Sequence, residues 1–310
     1  MYYTHGNGLR LKCIMKKKLP IFATPDDRAK YLAAYEAMLP LWKGPYDSID
    51  VKTRFGSTHI NACGPKGGQP LVLLHGAGLS SIAWYANIPG LSADHRVYAV
   101  DVIGDAGKSI ADVLMEKRID YARWLKDVFD GLNIEKGYLL GHSYGGWLTL
   151  NMALVYPARL NGIILLAPAA SIYPMNCLTI LGLHMAAFKF LRPSARSMFK
   201  MLASKGVVFE ETFINHMEMV TKYCVSAIMF PTLYTDEELK QIELPALLLI
   251  GEKEKIYNPK KAIQRAQRWM PKLSAEIIPN MGHILIMEQP QMINSRILEF
   301  LSADNPLGPE

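Results

Sequence analysis

The sequence has few cysteines and no long hydrophobic run, and both absences narrow the class of protein. Only 4 of its 310 residues are cysteine, and none of them forms a C-x-x-C pair (Cys13, Cys63, Cys177 and Cys224). This scatter argues against a zinc site and against a disulfide framework. The longest apolar run in the middle of the chain, residues 177–188, contains His184 and is shorter than the roughly 20 residues that a membrane helix needs. We therefore predict no membrane span.

The positive charge is concentrated at one end of the chain. The formal net charge is +6, and five basic residues near the N-terminus supply most of it: Arg10, Lys12, Lys16, Lys17 and Lys18. No apolar segment of the kind found in a signal peptide follows them, so we expect a cytoplasmic protein. No RNA-binding motif or basic and aromatic stripe accompanies the charge, which predicts no nucleic-acid partner. Residues 1–23 are predicted to be a flexible basic segment. The sequence does not determine the oligomeric state.

Sites for nucleotides, dinucleotides and metals are also missing. Residues 104–109 resemble the end of a phosphate-binding P-loop, but the full pattern requires glycine at the position of Val102. No dinucleotide fingerprint and no metal-ligand spacing occurs elsewhere. We therefore predict no cofactor and no metal.

Half of the residues are hydrophobic and a fifth are charged, as in a globular protein with a sizeable core. Short apolar runs alternate with helical patterns from residue 71 onward, at residues 71–74, 97–100, 138–140, 162–166, 246–250 and 275–278. Near-continuous apolarity is typical of parallel strands that helices cover on both faces. We predict an α/β fold with a doubly wound, mostly parallel sheet. A helix capped by Thr24, and a hairpin that turns near Gly56 and Ser57, are predicted to precede it.

This alternation stops between residues 171 and 240. The interval holds seven of the sixteen methionines and helical patterns, without a convincing strand. It predicts a helical cap insertion over the strand ends, at residues 171–240. The core would then comprise residues 24–170 and 241–302, with a C-terminal tail at 303–310.

One motif stands in a setting that gives it chemical meaning. Residues 141–145 have the sequence Gly-His-Ser-Tyr-Gly, directly after a predicted strand and directly before a predicted helix. In a G-x-S-x-G turn of this kind the central serine hydroxyl is lifted clear of the sheet, at the positive end of the helix. Ser143 is therefore the candidate nucleophile.

A serine hydroxyl needs a base, and the base needs an orienting group. Of the eight histidines, His283 follows the last predicted strand and is the candidate general base; His142 is expected to project away from the hydroxyl and to pack beside the strand. Glu254 follows the strand at 246–250 and is the candidate acid, with Glu252 its nearest competitor. Its task would be to fix the imidazole tautomer and to stabilise the imidazolium.

A tetrahedral intermediate also needs hydrogen-bond donors for its oxyanion. The glycine-rich loop at residues 75–78 follows the first long parallel strand and presents backbone N–H groups. The backbone N–H groups of Ala77 and Tyr144 are the expected pair.

These motifs resemble, in order and spacing, those of the α/β-hydrolase superfamily, over residues 50–302. More narrowly, residues 53–56, 100–105, 230–239, 251–259 and 283–290 resemble bacterial carboxylesterases of the naproxen-esterase type. The resemblance implies a Ser-Glu-His triad and hydrolysis of carboxylic esters without a cofactor. Our hypothesis is a serine carboxylesterase that acts on small, largely apolar esters through an acyl-enzyme on Ser143.

Alternatives remain open at this point, because one fold hosts many reactions. The same triad serves carbon–carbon bond hydrolases, lactonases, acyltransferases and cofactor-free peroxidases. Some proteins of this fold are ligand receptors with little turnover. The acyl and alcohol preferences would depend on how residues 171–240 pack.

Overall fold

The computed structural model describes residues 21–180 and 193–303. Most of the basic N-terminal segment, most of the C-terminal tail, His5 and His184 lie outside these residues. The strands are β1 Asp47–Thr53, β2 Gly56–Cys63, β3 Gln69–Leu74, β4 His95–Val100, β5 Ile110–Ala111, β6 Gly137–His142, β7 Leu160–Leu166, β8 Ala246–Gly251 and β9 Leu273–Ile278. The α-helices are α1 Pro25–Met38, α2 Ile88–Leu91, α3 Arg118–Gly131, α4 Tyr144–Val155, α5 Ala195–Leu202, α6 Glu211–Tyr223, α7 Asp236–Lys240, α8 Pro259–Trp269, α9 Leu285–Glu288 and α10 Pro290–Ala303.

The nine strands form one sheet in the order β1-β2-β4-β3-β6-β7-β8-β9, with β5 paired to β2. β1 and β2 are antiparallel to their neighbours, and all pairs from β4 to β9 along this order are parallel. The central strands are buried because helices cover both of their faces. The prediction of a doubly wound, mostly parallel sheet is confirmed.

Alternate residues of each central strand enter two separate hydrophobic clusters. Leu71, Leu140 and Ile164 point to the face covered by α1 and α10, whereas Val72 and Leu139 point to the face covered by α3, α4 and α8. This follows from the two-residue period of a strand, which sends successive side chains to opposite faces. The carboxyl ends of the parallel strands therefore meet at one edge, which a rigid core holds in place from both sides.

Helix α1 begins where the sequence predicted, since the Thr24 hydroxyl accepts a hydrogen bond from the Asp27 N–H at 3.1 Å. The hairpin turn was predicted two residues too late. Gly56 pairs with Thr53 inside the hairpin, and Arg54 and Phe55 make the turn. Gly56 has φ 136°, and a Cβ there would lie 2.1 Å from the Ile110 carbonyl oxygen. The glycine is required by the close approach of β5 and does not mark the turn.

Within residues 171–180 and 193–240, the described chain adds no strand to the sheet and contains α5, α6 and α7. Residues 224–235, which connect α6 to α7, form an extended segment that we call the strap. Hydrogen bonds to other parts of the chain hold it along its length. Two are between backbone groups, from the Ala227 N–H to the Gly104 carbonyl at 2.7 Å and from the Tyr234 N–H to the Ser171 carbonyl at 2.9 Å. Two involve side chains, from the Met229 N–H to the Tyr121 hydroxyl at 2.7 Å and from the Trp147 indole N–H to the Thr232 carbonyl at 3.1 Å. The strap thus has a fixed path across α3 and α4.

Candidate active site

The turn between β6 and α4 places Ser143 at the edge of the sheet. Ser143 has φ 53° and ψ −112°, a positive φ that a residue with a side chain rarely adopts. The flanking glycines make so sharp a turn possible. A Cβ at Gly141 would lie 2.1 Å from the Gly145 carbonyl oxygen, and a Cβ at Gly145 would lie 2.1 Å from that of Leu74. Neither position can carry a side chain without displacing backbone.

Backbone hydrogen bonds fix the turn from the neighbouring strand. The Ser143 N–H donates to the carbonyl of Leu166, the last residue of β7, at 2.9 Å. The Ser143 carbonyl accepts from the N–H groups of Gly146 at 3.0 Å and Ala169 at 3.3 Å. The backbone that carries the hydroxyl is therefore held independently of any side chain.

His283 and Glu254 lie where the sequence predicted a base and an acid, and the structure brings them to Ser143. His283 Nε2 lies 2.9 Å from Ser143 Oγ, and His283 Nδ1 lies 2.6 Å from Glu254 Oε2. The side chains of His283 and Glu254 are buried. Because the carboxylate can only accept, Nδ1 carries the ring proton and Nε2 is free to accept the serine proton. Glu254 Oε1 accepts from the Ile256 N–H at 2.8 Å, which fixes the carboxylate.

The loops that carry Glu254 and His283 are bound to each other. The Lys253 N–H donates to the Met281 carbonyl at 2.7 Å, and a Cβ at Gly251 would lie 2.3 Å from the carbonyl oxygens of Met281 and Gly282. Glu252, the competing acid, is exposed and accepts from the Asn280 N–H at 3.0 Å. It braces this pair of loops and does not contact His283.

His142 does more than pack beside its strand, which the sequence did not indicate. Its Nε2 donates to the backbone carbonyl of His283 at 2.9 Å, and the two rings lie 5.3 Å apart. Burial, together with the proximity of His283, lowers the pKa of His142 to about 3. His142 is therefore neutral at physiological pH and holds the loop of the candidate base.

The glycine-rich loop after β3 passes directly beside the nucleophile. A Cβ at Gly76 would lie 3.2 Å from Ser143 Cβ. The Gly76 carbonyl accepts from the Leu79 N–H at 3.1 Å and from His75 Nδ1 at 2.8 Å, while His75 Nε2 accepts from the Val102 N–H at 2.9 Å. In a planar trans peptide the N–H points opposite to the carbonyl, so these contacts also set the direction of the Ala77 N–H.

Two N–H groups next to Ser143 are available as donors. The Ala77 N–H donates no hydrogen bond to any residue in the described ranges, and Ala77 is exposed. The Tyr144 N–H belongs to the first residue of α4, where a helix offers no acceptor one turn earlier. These two N–H groups therefore stay the candidates for the oxyanion site that the sequence predicted.

The segment that resembles a P-loop, residues 104–109, binds a carboxylate of the chain itself, that of Asp101. Asp101 is buried, and its side chain accepts from the N–H groups of Ser81 and Lys108, each at 2.7 Å. The Ser109 hydroxyl donates to the Asp101 carbonyl at 2.7 Å.

In the described part of the chain, no three His, Cys, Asp or Glu side chains are grouped as a metal site. None of its helices is long and apolar enough to cross a membrane.

Comparison with known proteins agrees with this fold. The model of the alpha/beta hydrolase family matches residues 71–296. The chain is 39% identical over 305 residues to the uncharacterized carboxylesterase nap of Bacillus subtilis (strain 168), covering 91% of this chain and 96% of that one. It is 36% identical over 292 residues to the carboxylesterase YbfK of the same organism, covering 90% and 96%.

A solved structure gives the same result in three dimensions. The crystal structure of naproxen esterase (carboxylesterase NP) from Bacillus subtilis superimposes with a TM-score of 0.84 at 38% identity, covering 90% of this chain and 99% of that one. The chain belongs to the alpha/beta hydrolase family. Within it, the chain is a homologue of carboxylesterases, and the resemblance inferred from the sequence motifs is confirmed.

Proposed function

We propose that the protein is a serine hydrolase that cleaves small, largely apolar carboxylic esters through an acyl-enzyme on Ser143. The observation that carries the proposal is the continuous chain of contacts from Ser143 Oγ to His283 Nε2 at 2.9 Å and from His283 Nδ1 to Glu254 at 2.6 Å. A serine, a base and an orienting carboxylate in this geometry suit acyl transfer.

In the first half of the reaction, Ser143 Oγ attacks the ester carbonyl while His283 Nε2 takes the hydroxyl proton. The negative charge that develops on the carbonyl oxygen is bound by the N–H groups of Ala77 and Tyr144, and Glu254 stabilises the imidazolium. Collapse of the tetrahedral intermediate breaks the carbon–oxygen bond, and His283 returns the proton to the departing alcohol. The acyl group remains on Ser143.

In the second half, His283 takes a proton from water, and the resulting nucleophile attacks the acyl-enzyme. The intermediate is held by the same two N–H groups. Its collapse restores the Ser143 hydroxyl with the proton from His283 and releases the carboxylic acid. The net reaction is ester plus water to acid plus alcohol, which requires no cofactor.

Aromatic side chains pack around the nucleophile helix and beneath the strap, and we infer the apolar preference from these apolar surroundings. The Tyr144 and Trp147 rings stack with centroids 5.4 Å apart, and Tyr121 packs edge-on against Trp147 at the same separation. Both Tyr121 and Trp147 also hold the strap. We propose that residues 171–240 act as the cap that shapes the acyl and alcohol sites.

The test is hydrolysis of chromogenic esters of graded acyl length by the wild type and by Ser143→Ala. We expect turnover of short and medium apolar acyl groups by the wild type and none above background by the variant. Folded wild-type protein that binds esters without turning them over would favour a receptor. Equal turnover by both proteins would contradict the role of Ser143.

A further inference from the structure

A buried carboxylate connects the oxyanion loop to the strap. Asp105, in the loop after β4, is fully buried. Its Oδ2 accepts from the Gly78 N–H at 2.8 Å, and its Oδ1 accepts from the Ala106 N–H at 2.8 Å and from the Ser226 hydroxyl. In the described part of the chain it forms no ion pair with a lysine or arginine. Burial raises the pKa of this carboxyl group. A buried carboxylate without a cation is costly, so its presence here calls for an explanation beyond packing.

The Gly78 contact restrains the second of the two peptide units that flank Ala77. Residues 76–79 form a turn closed by the Leu79 N–H to the Gly76 carbonyl, with Gly78 at φ 71°. His75 and Leu79 hold the Gly76–Ala77 peptide through its carbonyl, and Asp105 holds the Ala77–Gly78 peptide through its N–H. Both backbone torsions of Ala77 are therefore restrained, and its own N–H has a fixed direction.

The Ser226 contact ties the same carboxylate to the strap. Next to it, the Ala227 N–H donates to the Gly104 carbonyl at 2.7 Å. Two consecutive strap residues are thus bound to the loop after β4: Ala227 to the backbone of Gly104, and Ser226 to the side chain of Asp105. Displacement of the strap at this point pulls on the carboxylate that restrains the Ala77–Gly78 peptide.

We propose that Asp105 is a positioning residue that locks the direction of the Ala77 N–H and couples it to the position of the strap. This inference rests on the proposed function, because it assigns Asp105 a role in forming the oxyanion hole of that reaction. Asp105 acts through the backbone of the loop and does not contact the reacting atoms.

The decisive variant is Asp105→Asn in the full chain. The amide keeps the shape but replaces one acceptor oxygen with a donor group, so the Gly78 or the Ala106 N–H loses its partner. We expect kcat to fall about 10- to 100-fold with little change in KM, somewhat less than the loss of an oxyanion donor itself. The inhibition constant of a boronic acid, which forms a tetrahedral adduct on serine, should rise by the same factor, whereas that of the product carboxylic acid should change less than threefold.

Ser226→Ala tests the coupling separately, since it leaves Asp105 and the oxyanion loop intact. A kcat reduction of about three- to tenfold, again matched by weaker boronic acid binding, is expected from the loss of one hydrogen bond to a charged group. The matched control is Asp127→Asn. This carboxylate also accepts a backbone N–H, from Arg54, but it lies on α3 and contributes nothing to the site. It should leave both kinetic constants unchanged.

The outcomes separate the inference from the function. If the wild type hydrolyses esters while both Asp105→Asn and Ser226→Ala retain wild-type kcat and boronic acid affinity, the inference is wrong and the proposed function stands. An equal weakening of boronic and carboxylic acid binding would show a structural role and also overturn it. If Asp105→Asn does not fold, wild-type kinetics of Ser226→Ala alone would contradict the coupling. A folded wild type without turnover would instead overturn the proposed function.

Discussion

The sheet edge and the strap meet at the same site, but they are held in different ways. Ser143, Glu254 and His283 lie on loops that follow buried parallel strands, and backbone hydrogen bonds between these loops fix their positions. The strap crosses the same region outside the sheet. It is held by a few separate hydrogen bonds: the Tyr121 hydroxyl and the Trp147 indole supply two, and backbone pairs at Ala227 and Tyr234 supply two more. It exposes Val225, Phe230 and Leu233 to solvent.

The difference indicates a division of labour. A site fixed by strand ends is restrained by the whole core, which suits groups that must stay within a few tenths of an ångström of each other. A segment fixed by a few separate hydrogen bonds outside the sheet can change its path when one of them is lost. We therefore expect substitutions at the sheet edge to act on kcat, and so should those at the Asp105–Ser226 contact, which reaches the oxyanion loop. Substitutions under the rest of the strap should act on KM and on substrate preference.

The largest effect is expected for Ser143→Ala. Removal of the nucleophile should lower kcat by about 10⁴- to 10⁶-fold, because the remaining groups supply only binding and oxyanion stabilisation. Steady-state hydrolysis of a chromogenic ester measures it, with Ser274→Ala on β9 as the control, since this serine is exposed on the edge strand. Substantial turnover by folded Ser143→Ala would mean that another group is the nucleophile.

Glu254→Gln comes next. The amide preserves the shape of the side chain but removes the charge that stabilises the imidazolium, and we expect a loss of about 10²- to 10⁴-fold in kcat. Glu252→Gln, two residues away, is the matched control and should retain activity because Glu252 contacts Asn280. A reversed pattern, with Glu252→Gln inactive and Glu254→Gln active, would show that Glu252 is the acid and that the assignment to Glu254 is wrong.

A smaller loss is expected when His142 is replaced by alanine. Without its hydrogen bond to the His283 carbonyl, the base loop can shift, and a shift well below 1 Å should reduce kcat by about tenfold. Glutamine can place a donor near the original Nε2, so His142→Gln should recover part of the activity. Comparison of kcat for the two variants provides the measurement, and wild-type kcat for the alanine variant would show that the contact is dispensable.

Under the strap, Tyr121→Phe removes the acceptor for the Met229 N–H. The loss of one hydrogen bond predicts a change of about two- to tenfold in KM, confined to esters with long acyl groups, while kcat for acetate esters stays near the wild-type value. A panel of acyl lengths distinguishes these effects. A uniform loss of kcat over the panel would contradict the proposal that contacts under this part of the strap affect KM and substrate preference.

The smallest effect on activity is expected at His216 on α6, a buried histidine that is far from the triad in sequence. Both ring nitrogens lack hydrogen-bond partners among the described residues, and the ring packs 5.2 Å from that of Tyr31 on α1. Burial lowers its pKa to about 4. The unfolded chain therefore binds a proton that the folded chain does not between about pH 6.5 and pH 4, and His216 lowers stability as the pH falls through this window.

His216→Phe should remove this contribution. Denaturant unfolding at several pH values should show a dependence on pH that is shallower by up to about 1.4 kcal/mol per pH unit within the window, with kcat unchanged. The wild type is the reference for the full slope. His142→Gln is a second reference that should also flatten the slope, since burial lowers the pKa of His142 as well. An unchanged slope for His216→Phe would show that this histidine is hydrated or paired in solution.

The sequence predicted the sheet edge well because local patterns determine it. A buried strand followed by a loop places that loop at the carboxyl edge, and the order serine, acid, histidine selected Ser143, Glu254 and His283 among many candidates. The choice between Glu254 and Glu252 was harder, since it depends on which side chain the loop directs inward. Gly56 was misinterpreted because the nearby β5, more than fifty residues later, imposes its conformation.

What the sequence could not predict depends on contacts between distant residues. Asp105 meets Ser226 across 121 positions, and His142 meets the His283 carbonyl across 141. Neither pair has a local signal, since a lone aspartate in a glycine-rich loop and a histidine beside a serine are both common. The strap has no periodicity that would reveal which of its residues face the core.

The most direct test of the account is to label the folded protein with a fluorophosphonate and to locate the adduct by peptide mass spectrometry. A single adduct on Ser143, formed with loss of activity, is expected. Little labelling of His283→Ala is expected, because its serine lacks a base. An adduct on another residue with Ser143 unmodified, or equal labelling of the wild type and Ser143→Ala, would contradict the proposed mechanism.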